Sequence, residues 1–342
     1  MPRKNNFGRK DMESVNNLYG QNTQPDSHSD IKKRKILTEK NKKLIFYILM
    51  IAPLVLQVAI FYVYINISNF ALAFSEYTEP TPGVFEKSFA GFNNFVSVIK
   101  EITSPQNSGM FGVSFLMYAF ILFVASPLSI IFSFYVYKKF FLSEFFRVIL
   151  FFPQIISTVV MTMLYSYMVG DVYRQISGAT VGLLDGETGT IVLTLVVYSL
   201  WMGFGANILL YSGAMSGINE SVVESCHLDG CNTMQEFWYI TMPSIYPTFV
   251  TFIVIDISAI FTNQMHLYTF FNQTKIFTPV QSVGYYMYVN TLKASEGIGL
   301  VKGDTWLSFP QLSAMGIMIT MIVLPITLLI RRVLEKVGPS EN

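Results

Sequence analysis

Few side chains of this protein could do chemistry in an apolar setting, and Asp256 comes first among them. It lies near the middle of an apolar run long enough to cross a bilayer, where an ionisable group is costly and faces a cavity or another helix. On helical spacing Asp256, Ile260, Asn263, Gln264 and Leu267 share one face. A carboxylate and two amides so arranged can line a path for a polar solute; equally, Asp256 can pair with a polar group of a neighbouring helix. Asn207, in a different apolar run, is a second candidate for a path-lining group.

Reactive constellations are missing where an enzyme would need them. The sequence holds no G-x-x-x-x-G-K-[ST], so it has no loop of the kind that cradles ATP phosphates. His28, His227 and His266 are too scattered for a metal triad, and neither HExxH nor GxSxG occurs. Cys226 and Cys231 fall in a segment expected to face the cytoplasm, where thiols stay reduced, and His227 alone does not complete a metal set. They read as small apolar filler with no disulfide. The glycines of G-L-L-D-G-E-T-G, 182–189, follow no βα unit and read as an outer-loop turn. No catalytic residue, metal site or cofactor is therefore expected on this chain.

The elements that must position these residues follow from hydropathy. Of 342 residues, 52% are hydrophobic and 13% charged, against about 25% charged in a soluble domain. The lipid bilayer is the expected environment, and nucleic acid is not an expected partner. A membrane helix needs about 20 predominantly apolar residues, and such runs occur at about 44–65, 113–137, 147–169, 191–211, 248–267 and 312–330. Lys and Arg are retained on the cytoplasmic side. With both termini inside, the inner segments hold 17 of the 23 Lys and Arg and the outer loops 6. The outer ones are Lys87, Lys100, Arg174, Lys275, Lys293 and Lys302. The expectation is an all-α, six-span membrane protein with N-in/C-in topology. Residues 1–43 read as a disordered basic cytoplasmic tail, 44–335 as the membrane domain and 336–342 as a short tail. The run after Lys43 is too long for a cleaved signal segment and reads as the first span.

Between the fourth and fifth spans, residues 212–246 carry Glu220, Glu224, Asp229 and Glu236 but no Lys or Arg. Ser221 with Glu224, and Thr233 with Glu236, have the spacing of capping boxes, and Asp229-Gly230 marks a break. Two short helices over about 218–241, joined at Gly230, are predicted. Their exposed set would include Val222, Val223, Cys226, Leu228 and Met234. A helix lying on anionic lipid would be basic on its polar face; an apolar knob with an acidic rim suits a groove on another protein.

The string from Glu224 to Pro247, E-S-C-H-L-D-G-C-N-T-M-Q-E-F-W-Y-I-T-M-P-S-I-Y-P, resembles the EAA motif of binding-protein-dependent ABC importer permeases. It keeps Glu224, Asp229, Gly230, Phe237, Ile240, Pro243 and Pro247, and has Ser225, Cys226 and Cys231 where alanine is usual. Those three positions stay small. Phe89–Phe95, F-A-G-F-N-N-F, is similar to an element preceding the second span of sugar-type permeases, Pro153–Val160 to the start of their third span, and Trp201-Met202-Gly203 to their fourth.

The resemblance implies a type I ABC importer permease fold of the carbohydrate-uptake branch, in a bacterial or archaeal cell membrane. It implies that Glu224, Ser225, Cys226, Asp229, Gly230, Phe237 and Pro243 belong to coupling helices seated in a cytoplasmic ATPase. ATP and Mg would be bound by that ATPase. The implied partners are a second homologous permease chain in a heterodimer, two ATPase subunits and an extracytoplasmic solute-binding protein. Tyr165 and Tyr198 become candidate stacking surfaces for a sugar ring, or packing residues. Pro127 and Pro325 mark kinks within spans, and Gly213 with Gly217 forms a G-x-x-x-G suited to close helix contact. The alternative reading, a secondary transporter or channel for a small polar solute, would call for inverted repeats and several embedded charges.

Overall fold

Apolar runs become helices here because, in lipid, a chain must satisfy its backbone hydrogen bonds within itself. The computed structural model describes residues 39–271, 280–303 and 306–339. The predicted tail up to residue 38, Lys275 and the last three residues lie outside them. The chain divides into two units at Ile60.

Within the described part of the first unit, α1 (Glu39–Gln57) is a helix in which every apolar side chain from Leu44 to Leu56 is exposed. Such a surface suits lipid contact. A π-helical stretch (Val58–Tyr64) follows in the chain, and the division between the units falls within it.

The first α-helix of the second unit is α2 (Ile65–Ala73), followed by a hairpin of β1 (Ser75–Thr81) and β2 (Val84–Phe89). The strands pair antiparallel from Ser75 opposite Phe89 to Thr81 opposite Val84, turning at Gly83 with φ +82°. The all-α expectation holds for the apolar spans, and this two-stranded hairpin is an addition to it; its Glu, Thr, Tyr and Lys residues are too polar to register as an element in a hydropathy reading. The F-A-G-F-N-N-F segment closes it. Gly91 turns at φ +55°, and the buried Asn94 Nδ2 donates to the carbonyls of Ala73 and Ser75, each at 2.8 Å.

Next come α3 (Asn93–Ile102), α4 (Gly109–Phe120), a π stretch (Ile121–Ala125) and α5 (Ser126–Tyr137). Pro127 sits at the start of α5, directly after the π stretch, so the missing backbone donor falls where the helical register already changes. Then follow α6 (Ser143–Ile155), α7 (Thr158–Tyr167), a π stretch (Met168–Val172) and α8 (Tyr173–Ser177). The third predicted span, 147–169, is not one straight helix. It is broken at Ile156 and Ser157, both extended, and the two arms meet at 103°. Hydropathy missed the break because Ile156 is apolar; Pro153 was the available warning.

The remaining elements are α9 (Thr188–Met215), α10 (Glu220–Leu228), α11 (Thr233–Glu236), a π stretch (Phe237–Thr241), α12 (Met242–Ala259), α13 (Leu267–Phe270), α14 (Val283–Glu296) and α15 (Phe309–Val337). Among the described residues, five helices are long and apolar enough to span a membrane, or six if the bent pair counts as one. The second ends at Tyr137 as expected from the sequence and the fifth stops short at Ala259, whereas the other ends extend past those expected. Pro325 lies inside α15 as predicted.

Close approach of α9 to α6 depends on Gly205, where a Cβ would overlap the backbone of Leu150 and Phe151. The predicted G-x-x-x-G contact does not form. A Cβ at Gly213 would meet nothing within 4 Å, and at Gly217 only the carbonyl of Ala214 in the same chain turn. Buried Ile130, Phe134, Tyr211, Met215, Phe237 and Ile245 form one core that joins α5, α9 and the start of α12. A second core, including Ala73, Val98, Val283, Leu312 and Met315, joins α2, α3, α14 and α15.

Candidate functional site

Where α4, α5, α9 and α12 converge with the broken span, the helices leave a cavity of about 360 Å³. That volume falls within the range of small-molecule sites, about 300–1,000 Å³. Its polar lining comprises Asn207 of α9, Asp256 of α12 and Asn263 beyond it, with Ser129, Gln154, Thr158, Ser199 and His266. Phe120, Met202, Phe204 and Met265 are among the apolar residues between them. Among the described residues, no Lys or Arg lines it. A second, small pocket of about 30 Å³ is also lined by Asp256 and Asn263, together with Ser114 and Tyr118.

Three of the four residues singled out for the path therefore meet in one cavity. Asp256 and Asn263 do not reach it from the one helical face expected of them. The helix ends at Ala259, and the chain turns through Asn263, whose Oδ1 accepts from Met265 N at 2.8 Å. Met265 and His266 both take left-handed backbone, with φ of 51° and 60°. Gln264 does not line the cavity, and its Oε1 is buried with no hydrogen-bond partner among the described residues. Glycine 284 makes the return possible, because a Cβ there would strike the backbone of Thr262 and Asn263.

Gln154, Thr158, Ser199, Ser129 and His266 were missed. The break at Ile156 and Ser157 delivers Gln154 and Thr158 to the cavity, and Gln154 Nε2 donates to the carbonyl of Met202. A polar residue beside Pro153 in an apolar run was the signal. Tyr165 and Tyr198 do not line the cavity. Tyr198 is fully buried, with its hydroxyl 2.6 Å from Thr162 Oγ1, and Tyr165 donates to the Thr194 carbonyl at 2.9 Å. With ring centroids 5.0 Å apart they pack on each other and are not free to stack on a solute.

The loop after α9 folds as two short helices, as expected, with different caps. Asn219, not Ser221, caps α10 by accepting from Ser221 N at 3.1 Å. Asn232 caps α11 in a reciprocal box with Gln235, both bonds 2.8 Å. Each cap lies earlier than the sequence suggested because asparagine accepts as well as serine or threonine at that position. Glu236 is thereby released from capping, and it is fully buried. Lys138 Nζ, at the end of α5, lies 2.9 and 3.0 Å from its two carboxylate oxygens, and His227 Nε2 of α10 lies 3.2 Å away.

Gly230 joins the helices at φ +81°, a conformation that favours glycine. The same turn brings Cys231 N to the Cys226 carbonyl at 2.9 Å and the two Cα atoms to 5.4 Å. The cysteines form a disulfide, which corrects the expectation of free thiols. Their compartment, and not their geometry, had decided that expectation; the turn places them within bridging distance, about 4.4–6.8 Å between Cα atoms. Glu224, Ser225 and Asp229 are exposed, as are Val222, Leu228 (89%) and Met234, whereas Val223 is half-buried. Trp238 and Tyr239 enlarge the exposed apolar surface. Phe237 instead packs on Phe134 of α5, centroids 5.0 Å apart, and Pro243 begins α12.

A model of the family described as "Binding-protein-dependent transport system inner membrane component" matches residues 125–340, well over half of the chain. The chain is 26% identical over 218 residues to a probable starch degradation products transport system permease protein, AmyD, of Thermoanaerobacterium thermosulfurigenes, covering 63% of this chain and 72% of that protein. It is 28% identical over 227 residues to the arabinooligosaccharides transport system permease protein AraP of Bacillus subtilis (strain 168), covering 62% and 67%. In fold it is similar to a chain of a bacterial ABC transporter involved in import of the acidic polysaccharide alginate. The TM-score is 0.67 at 17% identity, covering 87% of this chain and 97% of that one.

Proposed function

Since the chain belongs to the family of binding-protein-dependent transport system inner membrane components and is a multi-pass permease subunit for solute uptake, we propose that it forms one half of the translocation path of a carbohydrate importer. The observation that carries this reading is the cavity itself. Its amides, hydroxyls and single carboxylate are set among Phe and Met side chains, a surface matched to hydroxyl groups and apolar sugar faces. Relatives named for starch degradation products and arabinooligosaccharides support an oligosaccharide as cargo.

In this reading Asn207, Asp256 and Asn263 bind the passing solute and orient it by hydrogen bonds. The carboxylate of Asp256 accepts from paired hydroxyls. Energy enters elsewhere. The exposed face of α10 and α11, with Glu224, Ser225, Asp229 and Leu228, docks on a cytoplasmic ATPase, which binds ATP and Mg. Gly230 sets the angle between the helices, and Phe237 and Pro243 connect them to α5 and α12. A second permease chain completes the path, and an extracytoplasmic solute-binding protein delivers the cargo. Both termini face the cytoplasm of a bacterial cell, in agreement with the distribution of Lys and Arg.

The test is uptake of radiolabelled maltotriose and arabinotriose by cells carrying the complete importer, with and without this chain. Uptake of at least one, lost when the chain is deleted and lost when the ATPase is disabled, is expected. ATPase-independent uptake would overturn the reading in favour of a secondary transporter.

A further inference from the structure

Glu236 takes no part in capping and faces no cavity, yet it is completely buried and its carboxylate is met by groups from two other places in the chain. Lys138 belongs to the end of α5, His227 to α10, and Glu236 itself closes α11. Lys138 is 20% exposed, so its ammonium is largely withdrawn from water along with the carboxylate. A buried charge persists only with a partner, and separating this pair would strand both. The neighbouring Phe237 fastens the same point to Phe134 through an aromatic contact. Thus the two short helices hold the inner end of α5 by a charged bond and an aromatic one. Helix α5 in turn packs along α9 and contributes Ser129 to the cavity, to which α9 contributes Asn207.

We infer that Glu236, gripped by Lys138 and His227, is the positioning residue through which the loop of α10 and α11 moves α5, and with it the wall of the cavity. The inference rests on the reading of that loop as the ATPase contact. When the loop is displaced, the cost of parting Glu236 from Lys138 obliges the end of α5 to follow. Without the clamp the loop would swing about Gly230 and leave α5 behind.

Spin-label distances test this in the assembled importer in nanodiscs, with the native cysteines replaced by serine. Labels at Ser221→Cys on α10, outside the residues named for docking, and at Ile131→Cys on α5 are each paired with a reference at Met321→Cys on α15, all exposed positions. ATP with vanadate, trapping the ATPase, is expected to change both distances in the otherwise unaltered protein. In Glu236→Gln, and in the uncharged double variant Lys138→Met/Glu236→Gln, the Ser221 distance still changes while the Ile131 change falls at least about three-fold. The double variant leaves no lone buried charge and so guards against simple misfolding. The reversed pair, Lys138→Glu with Glu236→Lys, restores the Ile131 change, which a merely structural role would not require. An undiminished Ile131 change in both neutral variants overturns the clamp alone. A Ser221 distance that never responds to vanadate overturns the ATPase contact, and the clamp with it.

Discussion

Gly205 in the middle of α9 lies directly against the carbonyl of Leu150 in α6, with no room for a Cβ between the two backbones. This contact holds the inner arm of the broken span against the cavity wall, three residues from Met202, whose carbonyl receives Gln154. Gly205→Val should therefore separate α6 from α9. Overpacking of this kind costs about 1–3 kcal/mol, so the thermal midpoint of the detergent-purified protein should fall clearly. Gly213→Val, in open space, should leave it unchanged. Equal midpoints for the two variants would show that the α6–α9 contact is not tight.

The cavity residues are expected to act on solute rather than on stability. Asn263 is exposed toward open space and its Oδ1 accepts only a local backbone N–H, so Asn263→Leu should leave assembly intact. A hydrogen bond contributes about 1 kcal/mol, so the Michaelis constant for saccharide uptake should rise about five-fold. Asp256→Asn should raise it further, since bonds to a charged acceptor are stronger. Gln264→Leu, at a residue that does not line the cavity, should not change it. Unaltered uptake kinetics in both Asn263→Leu and Asp256→Asn would make these residues structural.

Gly230 and Glu224 should carry coupling. Proline is locked near φ −65° and cannot adopt +81°, and it would also remove the N–H that bonds the His227 carbonyl at 3.0 Å. Gly230→Ala meets no steric neighbour and should cost only the left-handed backbone, about 1–2 kcal/mol. Glu224→Lys reverses an exposed charge on the face proposed for docking, and loss of a desolvated charged contact costs about 2–5 kcal/mol. Gly230→Pro and Glu224→Lys should abolish solute-stimulated ATP hydrolysis and weaken co-purification of the ATPase, with Gly230→Ala intermediate. Normal stimulated hydrolysis in all three would remove this loop from the coupling pathway.

Topology can be read with the native cysteines. After reduction, a membrane-impermeant maleimide applied to whole cells should leave Cys226 and Cys231 unlabelled, and should label them once the membrane is opened. Thr180→Cys should react from outside in either case. Labelling of the native pair and of Thr180→Cys from the same side would contradict the proposed orientation.

Much of this protein was legible from residue order alone, wherever the determining physics is local. Lipid demands continuous apolar helices, so five spans and the bent pair stood out by length and hydropathy. The helix–Gly230–helix unit was visible because a break after Asp229 and an acidic, lysine-free stretch are properties of neighbouring residues. Asn207, Asp256 and Asn263 announced themselves as polar groups in apolar runs.

The tertiary structure decided what depends on partners distant in the chain. That Asn263 reaches the cavity while Gln264 does not follows from the turn after Ala259, which is packed against the backbone at Gly284. That Tyr165 and Tyr198 satisfy each other's surroundings, and that Gly205 rather than Gly213 is the tight contact, follows from which helix lies alongside. Most plainly, Glu236 read as a cap because Thr233 stands three residues before it. Its real partner, Lys138, is 98 residues away, and only the packing of α5 against the loop excludes water from both and makes one carboxylate a joint between three helices.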